Sequence, residues 1–319
     1  MLRISNYLLS TINWFPGHMY KASREIKEKL ALADIIIEVR DARIPLTSAA
    51  VAEVSQLPSR TIPRIILLNK ADLSEPLLLS KAMCRLAKGG LKSSYCSILP
   101  FSCKQVQRNH ISSVLDTLAA VPVRKRLKSL PTKVIVIGVP NVGKSSFINL
   151  LQRHCRNQWK DIPVEHTIDD GGVAKVGKHP GVTKNVAGFV VSHQPYIYML
   201  DSPGVMYPRL DSWESGMKLI ITGCIRDQSV DSIAACQFLL NMLIERNDSV
   251  AMSRLGIDIN DWNISAHQVV RKVAHRIRAF QKEDKEHTHE NEDLLRTCIY
   301  ILKKFRQGSL GCFTLDSME

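Results

Sequence analysis

The chain has 319 residues, of which 45% are hydrophobic and 23% charged, a balance that predicts a folded protein of two domains and excludes wholesale disorder. No run of about eighteen apolar residues occurs, so no stretch reads as a membrane-spanning helix. The formal net charge of +13 favours a polyanionic partner, either nucleic acid or an anionic membrane surface, and composition does not choose between them. The eight cysteines form no C-x-x-C pair and sit beside no clustered histidines, which signals neither a zinc site nor a disulfide framework and favours a reducing compartment.

Residues 1–24 carry Arg3, Lys21 and Arg24 and no acidic residue; residues 1–13 read as a targeting segment of the acid-poor mitochondrial kind. The turn Trp14-Phe-Pro-Gly-His-Met19 leads into a helix expected over Tyr20–Leu32, with Ala22, Ile26 and Leu30 at helical spacing. Buried strands are expected at 34–39, 64–68 and 95–99, with helices near 75–88 and 107–119. That alternation predicts an α/β fold with a mostly parallel, right-handed sheet. Asp41-Ala-Arg43 closes the first strand and admits two readings, a salt-bridged strand end or a pair facing a ligand. The second strand runs into Asn69-Lys-Ala-Asp72 and the third precedes Ser102-Cys-Lys104. Residues 121–132 hold two prolines and Arg124, Lys125, Arg126 and Lys128 without an acid; a solvated basic linker is preferred there over a segment touching RNA.

The strand Lys133–Ile137 enters Gly138-Val-Pro-Asn-Val-Gly-Lys-Ser145, which fills every fixed position of the phosphate loop G-x-x-x-x-G-K-[ST], and a helix opens at Ser146. Strand, loop and helix are the context this motif requires. Gly138 and Gly143 let the backbone turn so that N–H groups over Asn141, Val142, Gly143, Lys144, Ser145 and Ser146 face phosphate oxygens. Lys144 reaches the β- and γ-phosphates, and the Ser145 hydroxyl is a Mg²⁺ ligand. A polar stretch follows over 153–181, then strands at 185–191 and 196–200, then Asp201-Ser-Pro-Gly204. From about Leu210 the pattern is helical only, giving an α/β phosphate-loop domain over 14–209 and a helical domain over 210–319. Ser232–Ile244 reads as a core helix. A helix over Ser265–Gln281 sets Val269, Val273, Ile277 and Phe280 against Arg271, Lys272, His275, Arg276 and Arg278, either a solvated basic face or, as the absence of acids favours, one that contacts RNA phosphates.

Asn69-Lys70-x-Asp72 after a buried strand is the pattern that reads guanine. A carboxylate at Asp72 accepts from guanine N1–H and its exocyclic amine together, whereas adenine would leave it unpaired. With the phosphate loop and with Asp201-x-x-Gly204, whose aspartate holds Mg²⁺ and whose glycine N–H meets the γ-phosphate, the set specifies GTP and GDP. Ordinary GTPases place the phosphate loop first; here the base reader precedes it, which a circular permutation of a compact domain produces.

The chain resembles the YlqF/RbgA family of circularly permuted ribosome-assembly GTPases, and most closely its mitochondrial ribosome-associated branch. The matching stretches are Trp14–Met19, Asp41-Ala-Arg-Ile-Pro45, Asn69–Asp72, Gly138–Ser145, Pro180-Gly-Val-Thr183 and Asp201–Gly204, with Phe305-Arg-Gln-Gly308 matching that branch's end. The resemblance implies that Thr183, preferred over Thr167 because a strand follows it, contacts Mg²⁺ and the γ-phosphate, and that Asn141 helps hold a monovalent cation, K⁺. It further implies that backbone N–H groups of Ser102 and Cys103 meet guanine O6, with Cys103 standing where the family has alanine. Val205 occupies the place where small GTPases carry a water-orienting glutamine, so another group or a partner must complete catalysis; His18 is the expected group, and Arg43 as transition-state stabiliser a weaker alternative. The implied function is a GTPase that binds the mitochondrial large ribosomal subunit, rRNA and protein, and acts in its maturation under control of the GTP state. Its place is the mitochondrial matrix, with peripheral contact to the inner membrane a further expectation. The competing expectation is a guanine-nucleotide-dependent binding module, on the ribosome or a membrane, whose hydrolysis is incidental.

Overall fold

The computed structural model describes residues 28–30, 32–49, 62–88, 96–105, 108–122, 130–158, 187–193, 196–202, 212–225, 231–257, 264–281 and 290–318. They fall into two units: a sheet unit that spans the described residues up to 202 and takes in the segment from Thr314 onward, and a helical unit that ends at Phe313.

Six strands form the sheet: β1 (Ile35–Asp41), β2 (Arg64–Asn69), β3 (Cys96–Pro100), β4 (Thr132–Ile137), β5 (Ala187–His193) and β6 (Tyr196–Asp201). They lie in the order β3-β2-β1-β4-β6-β5. All neighbours pair in parallel except β5, which pairs antiparallel with β6. The β-branched runs of β1 and β4 are buried along nearly their whole length, as strands covered on both faces must be. The chain steps outward from β1 through β2 to β3, then returns to lay β4 on the other flank of β1. That reversal opens a crevice at the carboxyl ends of β1 and β4, where ligands bind in such sheets.

Helices α1 (Pro76–Lys88), α2 (Arg108–Ala120) and α3 (Lys144–Gln158) alternate with the strands. Pro76 opens α1, where its missing N–H costs nothing. The helix buries Leu79, Ala82 and Leu86 at helical spacing, two of them in one cluster with Ala42, Ile66 and Leu68. Each such leucine contributes about 1.5–3 kcal/mol through burial. Glu38, in the middle of β1, is fully buried yet ion-paired to Arg40 at 2.8 Å and Arg64 at 3.0 Å. The charges are tolerable inside the fold because each is met by its opposite.

The helical unit comprises α4 (Trp213–Ile221), α5 (Ser232–Glu245), α6 (Ser249–Leu255), α7 (Ala266–Gln281) and α8 (Glu290–Arg306). Ser212, Asp231 and Asp248 cap the first three by accepting backbone N–H groups. Arg306 donates to the carbonyls of Ile220 and Ile221 at the end of α4, where cations suit the helix terminus. α7 buries Val269, Val270 and Val273 and exposes Arg271, Lys272, His275 and Arg276; Arg276 lies over Gly256, so that charge is partly committed to the end of α6. The helical domain expected to run to 319 ends earlier, because residues from Thr314 hydrogen-bond to the sheet unit. No described helix is long and apolar enough to cross a membrane.

Candidate functional site

Five parallel strands point their carboxyl ends the same way, and the motif residues stand there. The phosphate loop follows β4. Gly138 is glycine because a Cβ would collide with the Val39 carbonyl, and Gly143, at φ +101°, because a Cβ would collide with the Asn69 amide. Asn141 holds a left-handed backbone at φ 57°. Lys144 opens α3 nearly buried, its ammonium donating to the carbonyls of Gly138 and Val139 at 3.1 Å each. Phe147 seats the helix behind the loop, edge-on to Phe101 at 5.5 Å.

Asn69 joins the two recognition loops. Its side-chain amide donates to the Val142 carbonyl at 2.6 Å, and its Oδ1 accepts from the Cys103 N–H at 3.1 Å. The Cys103 N–H, expected to meet guanine O6, thus also holds Asn69. The Ser102 hydroxyl accepts from the N–H groups of Lys104 and Gln105, which shapes this loop as a local side-chain turn. Burial pushes the Cys103 thiol up to about 12, so it stays protonated and fills the alanine-like role. Lys70 takes a left-handed conformation at φ 62° and Asp72 lies in the 3₁₀ turn Ala71–Leu73 that follows.

Lys70 is held by Asp41, at 2.8 Å from Oδ2. Arg43 grips the same carboxylate from the other side, Nε to Oδ1 at 2.9 Å and an Nη to Oδ2 at 2.7 Å. Burial alone would raise the Asp41 pKa, but the Arg43 guanidinium and Lys70 ammonium overcome it and hold the carboxyl far below its ordinary 3.8. Of the two readings of Asp41-Ala-Arg43, the salt-bridged strand end is the one observed. Arg43, 1% exposed, is bound to its aspartate through both Nε and an Nη.

At the end of β6, Asp201 Oδ2 accepts from the Ser145 hydroxyl at 2.7 Å. Its other oxygen, Oδ1, is buried with no hydrogen-bond partner. A hydroxyl and a carboxylate with an unused oxygen, side by side at a phosphate loop, fit a hard cation such as Mg²⁺. Burial raises the Asp201 pKa, with Lys144 and the Ser145 hydroxyl opposing. Among the predicted site residues the structure brings together Asn69, Lys70, Asp72, Ser102, Cys103, Asn141, Val142, Gly143, Lys144, Ser145, Ser146 and Asp201 at these strand ends. His18, Thr183 and Gly204 lie outside the described residues, as do Thr167, Val205 and residues 1–13, where a targeting segment is expected.

Residues 133–295 match the family model described as 50S ribosome-binding GTPase. The chain belongs to this GTPase family. The match starts at β4, the strand that leads into the phosphate loop, while the base reader lies upstream of it. The GTPase is 32% identical to the mitochondrial ribosome-associated GTPase 1 of Xenopus tropicalis over 95% of this chain and 94% of that one. It is 32% identical to the ribosome biogenesis GTPase A of Bacillus pumilus over 69% and 71%. It is also 39% identical to the Arabidopsis thaliana protein Short integuments 2, mitochondrial, over 78% of this chain but 61% of that longer protein. Among solved structures, GNP-bound YlqF from T. maritima aligns with a TM-score of 0.58 at 22% identity, covering 94% of this chain and 99% of that one. A GDP-bound YlqF aligns at 0.57 and 19%, covering 92% and 98%. The fold is thus the circularly permuted one, and the protein is a GTP hydrolase.

Proposed function

We propose that this GTPase acts in assembly of the mitochondrial large ribosomal subunit, binding it in the GTP state and leaving after hydrolysis. The observation that carries this reading is similarity across 95% of the chain to a protein named for its association with mitochondrial ribosomes. The net charge of +13 and the exposed basic residues of α7 support contact with rRNA. A matrix location follows from such a partner, and the same charge would also suit peripheral contact with anionic lipid on the inner membrane.

At the nucleotide, Asp72 accepts from guanine and the phosphate-loop N–H groups receive the phosphates, with Lys144 neutralising their charge. Ser145, Asp201 and Thr183 would hold Mg²⁺, which supplies charge neutralisation across the β- and γ-phosphate oxygens when bound. The Gly204 N–H is assigned to the γ-phosphate, and Asn141 to a K⁺ ion beside it. With Val205 unable to orient water, that task falls to His18. Turnover of the purified protein should rise when large ribosomal subunits from mitochondria are added, and co-sedimentation should require a non-hydrolysable GTP analogue rather than GDP. His18→Ala should keep the co-sedimentation and lose the stimulated turnover. Nucleotide-dependent binding with unchanged turnover would leave a binding module with incidental hydrolysis, and sedimentation blind to the nucleotide would remove the switch.

A further inference from the structure

The segment Thr314-Leu-Asp-Ser317 leaves the helical unit after Phe313 and is built into the sheet unit. It is no loose end: Thr314, Leu315 and Asp316 are 0%, 4% and 5% exposed. The Asp316 carboxylate accepts from the backbone N–H of Leu46 at 2.8 Å, from that of Thr47 at 2.9 Å and from the Thr47 hydroxyl at 2.6 Å. Successive backbone N–H groups converging on one carboxylate form an anion nest, and charge-assisted bonds of this kind are about twice as strong as neutral ones. One residue earlier, the Leu315 N–H donates to the Arg43 carbonyl at 2.7 Å. The Thr314 hydroxyl meets that of Ser74 at 2.9 Å, and Ser74 donates to the Ala42 carbonyl. Every one of these bonds falls on the loop between Ala42 and Thr47 or on the residues just after the base reader.

That loop decides where Arg43 stands. Arg43 and Lys70 share Asp41 Oδ2, so displacing Arg43 changes the anchor of Lys70. Lys70 sits between Asn69, which ties down the phosphate loop, and Asp72, which takes the base, in a left-handed conformation that a non-glycine residue keeps only when its surroundings impose it. We infer that Asp316 is a positioning residue for guanine-nucleotide binding, acting through the Ala42–Thr47 loop, Arg43 and Asp41 on Lys70. The inference rests on the nucleotide site described above and adds to it a contact from 269 residues away in sequence. Because Asp316 touches neither phosphate nor base, it governs affinity and leaves the chemical step alone.

The test is a double-mutant cycle on the full chain, read as the dissociation constant for a fluorescent GDP analogue and as turnover at saturating GTP. Asp316→Ala should weaken GDP binding on the order of tenfold, the scale of coupling within one hydrogen-bonded network, with the saturated rate unchanged. In a Lys70→Ala background the same substitution should cost nothing further. Asp316→Asn, which keeps an oxygen for the two backbone N–H groups, should recover most of the affinity, and it carries the cycle if Asp316→Ala melts below the assay temperature. Equal losses in both backgrounds, or a folded Asp316→Ala with wild-type affinity, would overturn the inference. Failure of the wild-type protein to prefer GDP over ADP would instead count against the nucleotide site itself.

Discussion

On the base-reading side of the sheet, β1 and β2 end in buried side chains that answer one another: Asp41 to Arg43 and Lys70, Asn69 to Val142 and Cys103. On the phosphate side, β4 ends in a loop whose form is backbone, set by two glycines pressed against Val39 and Asn69. One side is a network of charges and amides, and the other is a steric mould. A network transmits a change made at any member, so its specificity can be altered at a distance. A mould fails where it is filled, and transmits little.

The largest effect should come from the network. Asp72→Asn should reverse the preference between GTP and xanthosine triphosphate by about 10³–10⁴, since the substituted amide mismatches guanine's donors and suits xanthine; competition binding measures it. Retained GTP preference would place base reading elsewhere. Gly143→Ala sharpens the contrast, because that Cβ enters the Asn69 amide where the two sides touch. It should lower affinity for all nucleotides and destabilise the fold by about 1–3 kcal/mol, while also eroding the GTP-over-ATP ratio. Loss of affinity with discrimination intact would show that the two sides act independently.

The smallest effect concerns Asp201. Its raised pKa means that the folded state holds its proton more tightly than the unfolded chain does. Its favourable contribution is therefore complete below the ordinary value of 3.8 and is lost as pH rises through the shifted value. In nucleotide-free protein without Mg²⁺, Asp201→Asn should melt a few degrees higher at about pH 7 and show no gain at about pH 4. An equal gain at both would assign the change to packing. Asp41 has the opposite sign: its lowered pKa stabilises the fold above the ordinary carboxylate range and less as pH falls below it.

The site's letters were readable because each lies in a short contiguous run at a strand end, where neighbours in sequence are neighbours at the ligand. The permuted order was readable too, since β1–β3 and β4 each announce themselves by apolar runs ending in a motif. Four features were not. Glu38 sits in a run of isoleucine and valine, and its partner Arg64 opens another strand, so only pairing of β1 with β2 brings them together. Arg43 looked equally fit for a ligand until its guanidinium was found wrapped on Asp41. The base-loop N–H of Cys103 was claimed by Asn69, a contact that depends on β2 and β3 being adjacent. Asp316 offered no local pattern at all.

The bond between Asp316 and Leu46 joins positions 270 residues apart, whereas Ile36 and Arg64, which open the pairing of β1 with β2, are separated by about 30. Chain closure grows costlier by about 0.6 kcal/mol for each doubling of the span, so tethering the tail carries roughly 2 kcal/mol more entropy loss than zipping the first two strands. Long-range contacts of this kind form late on a folding route. Between those events β1 presents an open flank to β4, a stretch of unpaired peptide groups that must survive until the phosphate-loop strand arrives. Reordering a GTPase so that its base reader comes first therefore leaves the middle of its sheet as the piece that waits longest for a neighbour.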